Sequence, residues 1–154
     1  MKFYLSLIAL IFVSLFIVTG YTSPKSGISS ADNAPDFTVA NDSTQFSLHN
    51  ERGKRVLITF WSVTDAASRR DCNMYSAALA QSQVRHVAIN LDRNSILYKE
   101  IMLADALPVA DCYSPDAVTA TKIAQDYGLD GHYGSVLVSA EGEILAINPD
   151  PSDI

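Results

Sequence analysis

The chain has 154 residues, a net charge of −6 at pH 7 and 18% charged residues. No basic stripe interrupts the acidic balance, which argues against nucleic-acid binding, because affinity for a phosphate backbone needs clustered Lys and Arg. Two cysteines, Cys72 and Cys112, are too few for a disulfide framework, so one apolar core must hold the single domain that follows the N-terminus.

The first twenty residues read as targeting. Lys2 supplies a positive charge, Phe3–Val18 is apolar apart from two serines, and Thr19-Gly20 ends the run. This is the pattern of a secretory signal peptide with cleavage after Gly20. An uncleaved N-terminal anchor is the alternative, since the run is just short of the ~20 apolar residues that cross a bilayer. Val18-Thr19-Gly20 also has the look of a lipoprotein box, but Tyr21 stands where that box requires cysteine, and lipidation is rejected. Residues 21–33, rich in Ser, Gly, Asn and Asp with Pro24, read as a flexible linker.

Ordered structure is expected from Ala34, so the domain covers 34–154. Phe37, Val39, Phe46 and Leu48 alternate around Asn41-Asp42-Ser43 and predict a short hairpin. Val56–Trp61 is a near-continuous apolar run of strand length, suited to a strand buried on both faces of a parallel sheet. Ala66–Ala80 is expected to be a helix capped by Asp65, with Cys72, Tyr75 and Leu79 on one face. Val84–Leu91 predicts a second strand, Asn94–Leu103 a helix, Leu107–Ala110 a short extended piece, and Ala117–Tyr127 a helix that stops at Gly128. Ser135–Ser139 and Glu143–Ile147 are spaced for a tight antiparallel hairpin. The order predicts an α/β sandwich with a mixed central sheet and flanking helices.

Several sequence marks fall in a familiar order. They are Ala34-Pro35-Asp36-Phe37, then Phe60-Trp61 at a strand end, then Tyr127-Gly128-Leu129-Asp130-Gly131, then Glu141-Gly142-Glu143-Ile144. Together they resemble the thioredoxin-like fold of the exported TlpA/ResA-type thiol–disulfide oxidoreductases, relatives of the AhpC/TSA peroxiredoxins, over roughly Ala34 to Ile147. The resemblance implies a Cys-x-x-Cys pair after Phe60-Trp61, and here Asp65 and Ser68 occupy those two positions. In that family the first cysteine is the nucleophile, favoured as thiolate by the helix N-terminus, and the second resolves the mixed disulfide. A carboxylate can cap the helix but cannot exchange sulfur. The family's cis-proline position carries Tyr133, where a cis peptide would be costly, so a reshaped trans loop is expected. Its C-terminal helix is missing from this chain, which implies a sheet face left exposed or covered by a partner.

Cys72 lies two helical turns past Asp65, about 10 Å from the helix start and beyond the reach of its dipole. It reads first as a small buried apolar residue. Whether it pairs with Cys112 is left open by the sequence. A peroxidatic site fails because Thr64-Asp65-Ala66-Ala67 ends in alanine. His49, His86 and His132 are scattered, and neither metal nor cofactor is expected. The reading that follows is an exported, redox-inactive binding or accessory module of a bacterial envelope. It would use Trp61, Thr64, Asp65 and Tyr133 to hold an envelope protein or peptide, with membrane contact only through an uncleaved residue 3–18 segment. The alternative is a thiol–disulfide oxidoreductase that uses a displaced Cys72/Cys112 pair.

Overall fold

The structure, a computed structural model, describes residues 27–92 and 95–154. The expected signal peptide and the linker's first part, 21–26, lie outside the described residues. Among those described, no helix is long and apolar enough to cross a membrane.

The expected hairpin forms. β1 (Thr38–Ala40) pairs antiparallel with β2 (Gln45–Ser47). Asn41 folds the turn by accepting from the backbone N–H groups of Ser43 and Thr44 at 2.9 and 2.7 Å, the local side-chain bond that makes Asn a turn residue. The main sheet has five strands in the order β5 (Cys112–Tyr113), β4 (Arg85–Asn90), β3 (Val56–Trp61), β6 (Gly134–Val138), β7 (Ile144–Ile147). β3 is parallel to β4, β4 to β5, and β6 and β7 run antiparallel. Every residue of β3 is buried, as its unbroken apolar run requires.

Strand alternation divides the core into two layers. Val56, Ile58 and Phe60 of β3 join Val87, Ile89, Val136 and Val138 on one face, under Val39 and Phe46 of the hairpin and Ile123 of α3 (Ala117–Asp126). Leu57 and Trp61 point the other way. There Leu57 meets Tyr75 and Leu79 of α1 (Ala66–Leu79), and Trp61 meets Cys72 of α1 with Tyr98 and Met102 of α2 (Ser95–Ala104). α3 starts where Asp116 caps it, its carboxylate accepting from Val118 N and Thr119 N. Tyr127 closes it, and Gly128 follows with a φ of +62° that an L side chain rarely adopts.

Three departures from expectation have local causes. The stretch expected to be extended at Leu107–Ala110 instead contains a single 3₁₀ turn, Val109–Asp111, and the strand follows it at Cys112–Tyr113. Asp111 N donates to Pro108 O, and Thr44 Oγ1 to Ala110 O, so the hairpin turn claims a carbonyl a ladder would have used. Second, residues 27–33 are tied down rather than trailing. Ala31 N donates to Ile144 O, Ile144 N to Asp32 O and Ala34 N to Gly142 O, so residues 31–34 lie beside Gly142–Ile144 at the entry to β7 and ordered structure begins before Ala34.

Third, the chain's own tail covers part of the face expected to stay open. Beyond β7, Asp150 caps a 3₁₀ turn at Pro151–Asp153. The Tyr75 hydroxyl donates to Pro149 O at 2.7 Å, and Ile154 packs on the cluster of Leu57, Tyr75, Leu79, Val84 and Leu137.

Candidate functional site

β3 delivers its chain to a locked loop. The Ser62 hydroxyl donates to Asp92 Oδ1 at 2.7 Å, while Asp92 Oδ2 accepts from Val63 N and from Asn90 Nδ2. Thr64 N donates to Ser62 Oγ, and Ser62 N donates to Ser68 Oγ at 3.2 Å. One carboxylate at the end of β4 thus holds the backbone that follows β3. Sequence reasoning missed Ser62, Asn90 and Asp92. The only signal was the polar Asn90-Leu91-Asp92 ending of an otherwise apolar strand.

Asp65 and Ser68, the two positions that the sequence resemblance singled out, are bonded to each other. Asp65 Oδ1 accepts from Ser68 N at 2.7 Å, and the Ser68 hydroxyl donates to Asp65 O. The Ser68 backbone N–H, followed by its side chain, holds the Asp65 carboxyl below its ordinary value. The first turn of a helix favours negative charge, and here a carboxylate supplies it. A thiolate at this spot would be activated by the same amides. A carboxylate is only held in place, and a hydroxyl at Ser68 offers no sulfur to attack.

The chain's real thiols lie elsewhere. Cys72 and Cys112 are free and buried, 0% and 2% exposed, in one apolar cluster with Trp61, Ala88, Tyr98, Met102 and Leu107. Burial, then Cys112, pushes the Cys72 thiol far up. Burial, then Asp111, pushes Cys112 up to about 12. A thiol of that kind stays protonated at neutral pH and is a poor nucleophile.

Two of the expected contact residues part company. Trp61 does not face a groove: it is fully buried, with its ring 5.8 Å from that of Tyr98. The parity that buries Leu57 beneath α1 carries Trp61 to the same face. Its Nε1 is the buried side-chain polar atom without a hydrogen-bond partner among the described residues. Tyr133, in contrast, is half-buried and lines an open groove of about 270 Å³. Leu91, Leu129 and His132 line it too, and Ala117, Ala120 and Ala124 of α3 complete its wall. Thr64 is exposed and Asp65 half-buried, and neither lines that groove. The peptide bond before Tyr133 is trans.

Among the described residues no group of three or more His, Cys, Asp or Glu is arranged to hold a metal. His49 sits 3.6 Å from Asp36, and His86 Nε2 lies 2.9 Å from Thr59 Oγ1.

No family model matches the chain, and no curated protein matches its sequence. Its structure is similar to the thioredoxin domain of a thiol-disulfide oxidoreductase from Bacteroides vulgatus, at 19% identity and a TM-score of 0.74, covering 82% of this chain and 93% of that one. It is also similar to a thioredoxin-like protein from Parabacteroides distasonis, at 22% identity and a TM-score of 0.68, covering 82% and 92%. A thiol:disulfide interchange protein from Bacteroides sp. matches at 20% identity and a TM-score of 0.70, covering 82% and 85%. The fold is therefore thioredoxin-like. Within it, the first turn of α1 carries a carboxylate at Asp65 and a hydroxyl at Ser68.

Proposed function

We propose that this protein is a redox-inactive binding or accessory module on a thioredoxin-like scaffold, exported to a bacterial cell envelope. The observation that carries the reading is the Asp65–Ser68 pair. The helix start that would activate a thiol is occupied by a capping carboxylate, and both thiols of the chain are protonated and buried. What remains for contact is the groove beside Tyr133, where an aromatic ring, Leu91 and Leu129 suit an apolar peptide side chain. The N-terminal sequence, a basic residue followed by the apolar run 3–18, supports export.

A disulfide reductase assay on insulin, with dithiothreitol as electron donor, tests the reading. The protein should leave the rate at background. The D65C/S68C variant should raise it, because the amides that hold the Asp65 carboxylate would then favour a thiolate. Turnover by the unaltered protein that Cys72→Ser abolishes would overturn the proposal. For the contact surface, peptides enriched from a displayed library should lose binding to Tyr133→Ala and keep it for Trp61→Phe.

A further inference from the structure

The groove beside Tyr133 carries more than its apolar lining. Asp130 also lines it, with an exposed carboxylate that pairs with no Lys or Arg among the described residues. No Lys or Arg lines the groove. Lys122, the nearest of either in sequence, is bonded to Asp126 one turn along α3. The last turn of α3 also ends here, since Gln125 and Leu129 both line the groove and Tyr127 closes the helix between them. A helix C-terminus carries a partial negative charge, so backbone and side chain add at one spot. The net charge of −6 over the whole chain draws cations in the same sense.

We propose that the groove takes an extended peptide segment that sets a Lys or Arg beside a bulky apolar residue. The basic side chain meets Asp130, and the apolar one meets Leu91, Leu129 and Tyr133. This rests on the groove beside Tyr133 being the contact surface, and it adds what that surface selects. Ala117, Ala120 and Ala124 make a low wall, so a peptide backbone can lie close to α3. From Ala117 to Gln125 the wall runs about 12 Å. That is the length of roughly three or four extended residues. The exposed amide of Gln125 offers that backbone both a donor and an acceptor. An acidic segment would be repelled by Asp130 and the helix end together, and a purely apolar one would leave the carboxylate unused.

A hexapeptide library displayed on phage, selected on the purified protein and counter-selected on Tyr133→Ala, tests the assignment. The surviving sequences should be rich in Lys or Arg next to Leu, Phe or Tyr, and poor in Asp and Glu. One such peptide, synthesised with its basic residue and with Gln in that place, completes a double-mutant cycle against Asp130→Asn. Asn tolerates the left-handed backbone at position 130, where φ is +41°, so this variant should fold. At low salt the Gln peptide should bind the unaltered protein about fivefold more weakly than the basic one. D130N should lose the same factor for the basic peptide and nothing for the Gln peptide. Survivors without a basic preference would overturn this inference and leave the groove as a contact surface. A basic preference that D130N does not diminish would mean attraction to the acidic surface at large and overturn it too. No Tyr133-dependent survivor at all would remove the contact surface itself, and this inference with it.

Discussion

Asp65 caps α1, its carboxylate accepting from Ser68 N at 2.7 Å. Its capping role was legible in sequence, because a lone Asp before an apolar-periodic stretch is an N-cap signal. Its pairing with Ser68 was not, since hydrogen bonds inside one turn leave no periodic trace. As the carboxyl is held below its ordinary value, the cap is present above the unfolded pKa and is lost as pH falls below it. His86 behaves differently. It lies beneath α1, with Thr59 Oγ1 at 2.9 Å, Ser76 Oγ at 3.3 Å, the Tyr75 ring at 6.2 Å and Asp111 acting on it through space. Burial lowers its pKa from 6.5 to about 4, and Asp111 opposes this weakly. The native protein therefore binds fewer protons than the unfolded chain between those values. Stability should be full above about pH 6.5 and fall as pH drops toward 4, by roughly 3 kcal/mol in all. Urea unfolding at pH 7 and pH 4.5 checks this. His86→Gln should flatten that part of the pH dependence.

At the scale of elements, Arg85 is the main clamp at the start of β4. Its guanidinium meets Glu51 and Asp111 at 2.5 and 2.8 Å and lies 5.3 Å from the centre of the Phe46 ring. It joins the first hairpin, the turn after β2 and the 3₁₀ turn before β5 to one strand. Removing it strands two part-buried carboxylates, so Arg85→Ala should cost about 2 kcal/mol in chemical denaturation. A loss indistinguishable from zero would make this a surface pair only. Long periodic elements such as β3, α1 and α3 were readable within a residue or two. The Leu107–Tyr113 stretch was not, because its shape is set by Thr44 and Arg85, 66 and 26 residues away from the groups they bond. Trp61 was misplaced for a related reason. The residues that cover it, Tyr98 and Met102, come from a later helix. Its fluorescence should be blue-shifted and shielded from acrylamide, and ready quenching would contradict the burial seen here.

Over the whole molecule, both chain ends described here do structural work that composition alone disguised. Residues 31–34 bond to Gly142 and Ile144 at the entry to β7, and residues 148–154 fold over α1 and the sheet, although Asn and Asp in each, with Pro149 and Pro151 in the second, suggest loose chain. Truncation after Asn148 should remove the Tyr75 bond and the cover of Ile154. It should lower the melting temperature and increase binding of a hydrophobic dye, and an unchanged melting temperature would deny the tail its role. Both ends are polar in composition because what they contribute is mainly backbone hydrogen bonds and one terminal apolar residue, which hydrophobic patterning cannot detect. The proposed function holds that this thioredoxin-like scaffold carries out no thiol exchange. The most direct measurement is maleimide labelling of the purified protein, native and denatured, with and without reductant, read by mass. The structure predicts no label on the native protein and two after denaturation, independent of reductant. Rapid native labelling of Cys72, or a Cys72–Cys112 disulfide that opens and reforms in the folded state, would contradict it.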